Sequence, residues 1–110
     1  MDDNLKDFSV KELMTIGKFL ALDLKYSPEF DHRAQLLSEI LLELENRNAI
    51  NRLDAAAAHK SLQIADFKGI SVFRPDMKSV SAEKVNSFLR EKMKNFSLVI
   101  NWTKYKTRRS

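Results

Sequence analysis

The chain has 110 residues, of which 44% are hydrophobic and 31% are charged, and this predicts one domain over residues 1–110 with a single core. It contains no cysteine, which excludes disulfides, thiolate metal ligands and a thiol nucleophile. The net charge is +4, and there are only two Gly and two Pro, a scarcity of turn formers that favours helices over a many-stranded sandwich.

A first helix is predicted over residues 10–26, and it has the clearest start signal in the chain. Ser9 and Glu12 have the spacing of a capping box, in which each side chain binds an otherwise unpaired backbone N–H. Phe8 and Leu13 lie where a hydrophobic staple would close over that cap. Apolar positions then recur with the spacing of one helix face, namely Leu13, Ile16, Gly17, Leu20 and Leu24. Three more apolar residues widen this face, namely Met14, Phe19 and Leu22.

A second helix is predicted over residues 28–47. Ser27 is a good N-cap, and Pro28 suits the first helical position because its missing N–H costs nothing there. The predicted inward face has helical spacing and consists of Phe30, Ala34, Leu37, Leu41 and Leu44, flanked by Leu36 and Ile40. Asparagine side chains that compete for the backbone place a break near Asn48, although one long bent helix is the alternative.

A third helix is predicted over residues 49–67, and it carries the apolar residues Ile50, Leu53, Ala57 and Ile64. The alanine run 55–58 has high helix propensity, and its small side chains let another helix approach closely. Gly69 is a natural stop. An irregular link follows over residues 69–80, in which residues 70–73 form either a strand fragment or an extended cover over the core. The sequence of residues 74–76, Arg-Pro-Asp, predicts a turn.

The last helix is predicted over residues 82–104, with its cap at Ser81 and Glu83 in its first turn. Its inward face consists of Val85, Leu89, Met93, Phe96 and Ile100. Residues 97–102 also have strand propensity, but the unbroken period of 3.6 residues favours a helix. Residues 105–110 are predicted to be a frayed basic tail. The predicted fold is therefore all-α, a compact bundle of about four helices with an irregular linker before the last one.

The residues of the chain match no catalytic or metal-binding motif. The two histidines, His32 and His59, lie 27 positions apart and are not part of a His-Glu-x-x-His pattern. Two glycines, Gly17 and Gly69, cannot form a Gly-rich phosphate loop, and no serine lies in a Gly-x-Ser-x-Gly elbow. We therefore expect no enzyme activity, no cofactor, no metal and no small-molecule substrate.

The sequence also bears on the cellular compartment. A secreted domain of this size often needs disulfides, so the lack of cysteine favours the cytoplasm. The acidic start at Asp2 and Asp3 is unlike a signal peptide. No apolar run approaches the roughly 20 residues that span a bilayer. We therefore expect a cytoplasmic protein that does not associate with membranes.

Charge is distributed unevenly along the chain. Residues 1–55 hold 7 basic and 11 acidic residues, a net charge of −4, whereas residues 56–110 hold 12 basic and 4 acidic residues, a net charge of +8. On a regular last helix, one polar stripe could follow a phosphate backbone, with Asn101 reading a base edge and Trp102 and Tyr105 stacking. This nucleic-acid or acidic-partner site would consist of Arg90, Lys94, Asn101, Lys104, Lys106, Arg108 and Arg109. The alternative interpretation is that this polar stripe is simply the solvent-facing side of the last helix.

The apolar surplus of the first three helices leads to a different function. Some of this surface is expected to lie outside the core and to be buried against a partner or a second copy. The small side chains of Ala55, Ala57 and Ala58 are the predicted protein interface. The leading interpretation is thus a small regulatory or adaptor protein that binds a protein partner, including itself, and nucleic-acid binding is the alternative.

Overall fold

The computed structural model describes residues 5–22, 24, 30–64, 70–76 and 78–92. In these ranges a short 3₁₀ turn, Leu5–Asp7, is followed by α1 (Val10–Ala21), α2 (Phe30–Asn46), α3 (Arg52–Gln63) and α4 (Ala82–Lys92). The described residues contain helices and no strand, which confirms the predicted all-α fold. All four helices contribute side chains to one hydrophobic core. None of the described helices is long and apolar enough to cross a membrane.

The start of α1 is the predicted capping box. The Glu12 backbone N–H donates to Ser9 Oγ at 3.1 Å, and the Ser9 N–H donates to Glu12 Oε1 at 2.8 Å. The predicted inward face is confirmed, since all five of its residues are buried: Leu13, Ile16, Gly17, Leu20 and Leu24. The predicted end at residue 26 is wrong, because α1 stops at Ala21 with Leu22 in an extended conformation. The carbonyl of Leu22 instead accepts a hydrogen bond from Arg33 of α2 at 3.3 Å.

The predicted break near Asn48 separates α2 from α3. Asn48 has a φ of 61°, the left-handed conformation that Asn tolerates better than most residues. Its N–H donates to the Glu45 carbonyl, and the Ala49 N–H donates to the Leu44 carbonyl, both at 2.9 Å; this is the Schellman pattern of helix ends. Asn51 then caps α3 by accepting the Asp54 N–H at 2.7 Å. The predicted start of α2 at Ser27 and Pro28 lies outside the described residues.

The inward face of α2 is confirmed at Leu37, Leu41 and Leu44, which are fully buried. The apolar residues that the sequence places on the third helix do not all face inward. Leu53 and Ile64 are exposed, whereas the buried side chains of α3 are those of Ala55, Ala58, Ser61 and Leu62. Both sets recur at helical spacing, and the set with small residues packs inward, where alanines permit close approach to α2.

The described part of the link before α4, residues 70–76 and 78–80, lies over α1 as an irregular cover and contains no strand. Phe73 is 2% exposed, and its ring occupies the space beside Gly17, where a Cβ would lie 2.3 Å from two ring carbons. The buried Thr15 hydroxyl accepts the Asp76 N–H at 3.0 Å and holds the link on α1. The turn predicted at residues 74–76 is confirmed only in the part that Asp76 plays: its Oδ1 accepts the backbone N–H groups of Lys78 and Ser79, which lie in a turn, whereas residues 74 and 75 are irregular.

The start of α4 is also as predicted. The Lys84 N–H donates to Ser81 Oγ at 3.2 Å, and Glu83 lies in the first turn. Val85 and Leu89 are fully buried, and Phe88 joins them at 6% exposure. Residues 93–104 of the predicted helix, including Met93, Phe96 and Ile100, lie outside the described residues.

Candidate interaction surface

The outer side of the α2–α3 hairpin carries large apolar side chains that face solvent. Leu42 of α2 is 54% exposed, Leu53 of α3 is 81% exposed, and Ile64, the C-cap of α3, is 60% exposed. Each lies on the side of its helix that is turned away from the core. We call the solvent-exposed surface of these two helices the outer hairpin face, and its exposed residues are Asp31, His32, Gln35, Glu39, Leu42, Asn46, Arg52, Leu53, Asp54, Ala56, Ala57, Lys60, Gln63 and Ile64.

Local sequence explains why the two helices are neighbours. Residues 47–51 form a short connection between α2 and α3, which makes the two helices antiparallel neighbours. A shallow groove of about 390 Å³ runs between them and is lined by Gln35, Ser38, Glu39 and Leu42 of α2 and by His59 of α3. His59 of α3 therefore lies beside this stretch of α2.

The two helices of this face differ in charge. On α2 the exposed acidic residues are Asp31 and Glu39. On α3 the exposed basic residues are Arg52 and Lys60, and the exposed Asp54 is hydrogen-bonded to Asn51 at the helix cap. Among the described residues no ion pair joins α2 to α3. The exposed charged side chains of α2 are thus both acidic, whereas those of α3 are two basic and one acidic.

Other charged groups hold the N-terminal segment on the bundle. The Arg47 guanidinium donates to the carbonyls of Phe8 and Leu5 at 2.6 and 3.0 Å and pairs with Glu43 at 2.7 Å. On the other side Lys84 Nζ donates to the Asp7 carbonyl and to Glu12 Oε1, each at 3.1 Å. These groups are already satisfied by the fold, so they are not available as a binding site.

Two carboxylates in these contacts have lowered pKa values. Partial burial by itself would raise the pKa of Glu12, but the Ser9 N–H and the Lys84 ammonium stabilise the charged form and hold it below its usual value. The pKa of Asp76 is lowered in the same sense, because desolvation is outweighed by the N–H groups of Ser79 and Lys78 and by Lys11. Both carboxylates therefore stabilise the fold in their charged forms.

The two histidines occupy different places. His32 Nε2 lies 2.6 Å from the carbonyl of Lys92, a contact that joins the start of α2 to the end of α4. His59 is half-buried in the groove of the outer hairpin face. Within the described ranges, no group of three His, Asp or Glu residues is arranged to hold a metal ion.

The interface predicted at three alanines divides between the core and the surface. Ala55 and Ala58 are 1% and 0% exposed, so their side chains are covered by this chain itself and are not available to a partner. Ala57 is exposed and lies on the outer hairpin face. Sequence reasoning named Leu53 and Ile64 only as apolar residues of the third helix and did not single out Leu42. The available signal was the presence of two apolar stripes on α3, only one of which can face inward.

The predicted basic site lies mostly beyond the described part of the chain. Arg90 is exposed on α4. The other residues of that site lie outside the described residues: Lys94, Asn101, Lys104, Lys106, Arg108 and Arg109.

Comparison with known proteins finds no match, since no family model, no curated protein and no solved structure matches this chain.

Proposed function

We propose that this chain is a small, non-enzymatic regulatory or adaptor protein that acts by binding a protein partner through the outer hairpin face. The observation that carries the proposal is the exposure of Leu42, Leu53 and Ile64 on the two helices of one hairpin. Burying such side chains is worth about 25 cal/mol per Å² of apolar surface. A partner that covers them recovers this free energy.

The chemistry of the face defines the kind of partner. The hairpin offers a shallow groove between two helices, and such grooves accept an amphipathic helix with apolar residues at i, i+3 or i+4, and i+7. The charged side chains around the apolar residues, Glu39 and Lys60 among them, favour a partner helix that carries both signs of charge. Cytoplasmic localisation is part of the same proposal, and the lack of cysteine in the sequence supports it.

The test compares three baits in affinity capture from the native host. These are the wild type, a triple variant (Leu42→Gln, Leu53→Gln, Ile64→Gln) and a control with two exposed positions changed elsewhere (Ser71→Gln, Ser87→Gln). Proteins retained by the wild type and the control are identified, purified and titrated against all three baits. We expect at least about tenfold weaker binding for the triple variant, because three apolar anchors are lost. Equal affinity for all three baits would contradict the proposal.

Nucleic-acid binding is the second candidate, and the charge of the C-terminal half favours it. Residues 56–110 carry a net charge of +8, and Arg90 is exposed on α4. Phosphate contacts release counterions, so affinity for short oligonucleotides should fall steeply with salt. Replacing Arg90, Lys94 and Lys104 with Gln should weaken binding and flatten this salt dependence, whereas Asn101→Ala should mainly reduce preference among sequences. No binding by the folded wild type at low salt would eliminate this function.

A further inference from the structure

We infer that the protein partner places an amphipathic helix with acidic residues beside its apolar stripe along the exposed side of α3, where it covers Leu53, Ala57, Lys60 and Ile64. We call these four residues the α3 stripe. This inference rests on the proposed function, and it adds a second contact on the side of α3 that is turned away from the groove with α2.

The geometry of a single helix places the α3 stripe on one face. Its residues recur at i, i+4, i+7 and i+11, and at 3.6 residues per turn these positions lie within about 60° of one another around the helix axis. The Ile64 N–H donates to the Lys60 carbonyl at 3.0 Å, so the helical spacing continues to Ile64. All four residues are exposed. The buried residues lie on the opposite side of the helix and are Ala55, Ala58, Ser61 and Leu62.

The shape of the α3 stripe suits a helix. Leu53 and Ile64 are large, exposed apolar side chains, and their positions on the helix are about 16 Å apart. Ala57 lies between them, and its small side chain lets another helix approach closely. A partner helix of three turns or more can therefore cover both apolar ends at once.

Charge decides the chemistry of that helix. Lys60 is the one charged residue of the α3 stripe, and within the described part of the chain it forms no ion pair. The exposed acidic residue of α3, Asp54, lies about 100° away from Leu53 around the helix, and its carboxylate accepts a hydrogen bond from the Asn51 amide at 3.1 Å. A partner helix on the stripe thus meets a positive charge between two apolar ends, and an acidic side chain complements it.

The same charge disfavours a second copy of this chain on the α3 stripe. Two antiparallel stripes that pair Leu53 with Ile64 of the partner subunit are related by a two-fold axis midway between these positions. Lys60 of each copy then lies inside the contact, and the two lysines are attached only about 4.5 Å apart along the helices. Like charges placed together in an interface oppose association. The partner is therefore a different chain, which supplies the opposite charge.

The experiment titrates the purified full chain against two labelled synthetic peptides of about 20 residues, long enough for five helical turns, by fluorescence anisotropy. Both peptides carry leucines at i, i+4, i+7 and i+11. Glutamates flank the leucines in the acidic peptide, and lysines replace these glutamates in the basic peptide. The contact is a small one, so we expect the acidic peptide to bind with a dissociation constant between about 1 μM and about 1 mM. The basic peptide should bind at least about tenfold more weakly.

Three variants locate the contact. Leu53→Gln should weaken binding of the acidic peptide by at least about tenfold, because an apolar anchor is lost. Lys60→Glu should weaken binding of the acidic peptide and strengthen binding of the basic peptide, because the sign of the charge is reversed. Leu42→Gln is the matched control, since it removes an exposed leucine of α2, and it should leave both affinities unchanged.

Several outcomes would overturn the inference. These are equal affinity of the folded wild type for the two peptides, and no binding of the acidic peptide at about 1 mM. A partner captured from the native host whose binding depends on Leu42 and not on Leu53 would also overturn it, while still supporting the proposed function. Reversible dimerisation in sedimentation equilibrium that Leu53→Gln abolishes would make a second copy the occupant instead. Circular dichroism of every variant separates loss of binding from loss of folding.

Discussion

Replacing Gly17 with alanine tests the closest contact between α1 and the link before α4. In the wild type the Phe73 ring lies against the Gly17 backbone, and an added Cβ would be 2.3 Å from Cδ1 and Cε1 of that ring and 2.8 Å from Cγ. Carbon atoms in favourable contact are about 3.5–4.0 Å apart. The ring would therefore have to move by more than about 1 Å, although Phe73 is only 2% exposed.

Two opposing effects set the size of the change. Alanine inside a helix is about 1 kcal/mol more favourable than glycine. Overpacking a core costs about 1–3 kcal/mol, and complete expulsion of a Phe ring costs about 3–5 kcal/mol. Because three ring atoms are overlapped, we take the upper part of the overpacking range. The expected net loss for Gly17→Ala is about 2 kcal/mol, with an upper limit of about 4 kcal/mol.

The assay is urea denaturation followed by circular dichroism, combined with a double-mutant cycle. Gly17→Ala should lower the urea midpoint by about 1 M. In a Phe73→Leu background, where the smaller and more flexible side chain can turn away, the same change should be neutral or stabilising by up to about 1 kcal/mol. If Gly17→Ala stabilises the protein with Phe73 in place, or if its effect is equal in both backgrounds, the proposed overlap does not exist.

Three further changes test the fold. Leu41→Ala should reduce the unfolding free energy by about 2–5 kcal/mol, whereas Leu53→Ala should change it by no more than about 0.5 kcal/mol; equal effects in thermal denaturation would mean that the exposed and buried faces are misassigned. Asn48→Ala should cost about 1 kcal/mol because of its left-handed backbone, and Asn48→Gly should not; a tolerated alanine would argue against the Schellman end of α2. The lowered pKa of Glu12 adds stability above the unfolded-state pKa and loses it as pH falls through the lower folded-state pKa. Urea titrations from about pH 6 to about pH 3 should therefore show a smaller loss of stability for Glu12→Gln than for the wild type, and parallel curves would contradict this role.

Features that depend on residues close together in the chain could be predicted from the sequence. The capping box joins Ser9 to Glu12, and the cap of α3 joins Asn51 to Asp54, each across three positions. The break at Asn48 also depends on hydrogen bonds over three to five residues. Such contacts form within one helical turn, so the identity and spacing of the residues are enough to locate them.

Features that depend on distant contacts could not be located in this way. α1 ends early while Leu22 accepts a hydrogen bond from Arg33 in another helix. The N-terminal segment is held by Arg47, which binds carbonyl groups 39 and 42 positions away. These partners come together only when the helices pack, because their separation along the chain carries no periodic signal.

The candidate site illustrates the same division. Helical periodicity predicted the third helix and marked Leu53 among its apolar residues. Ala55 and Ala58 were predicted to form an interface, whereas the structure buries the two alanines and exposes Leu53. Both stripes satisfy a period of 3.6 residues, so the sequence alone determined the helix and its surplus of apolar side chains. The tertiary structure decided which stripe faces inward, because the rotation of a helix depends on the shape of the neighbour against which it packs.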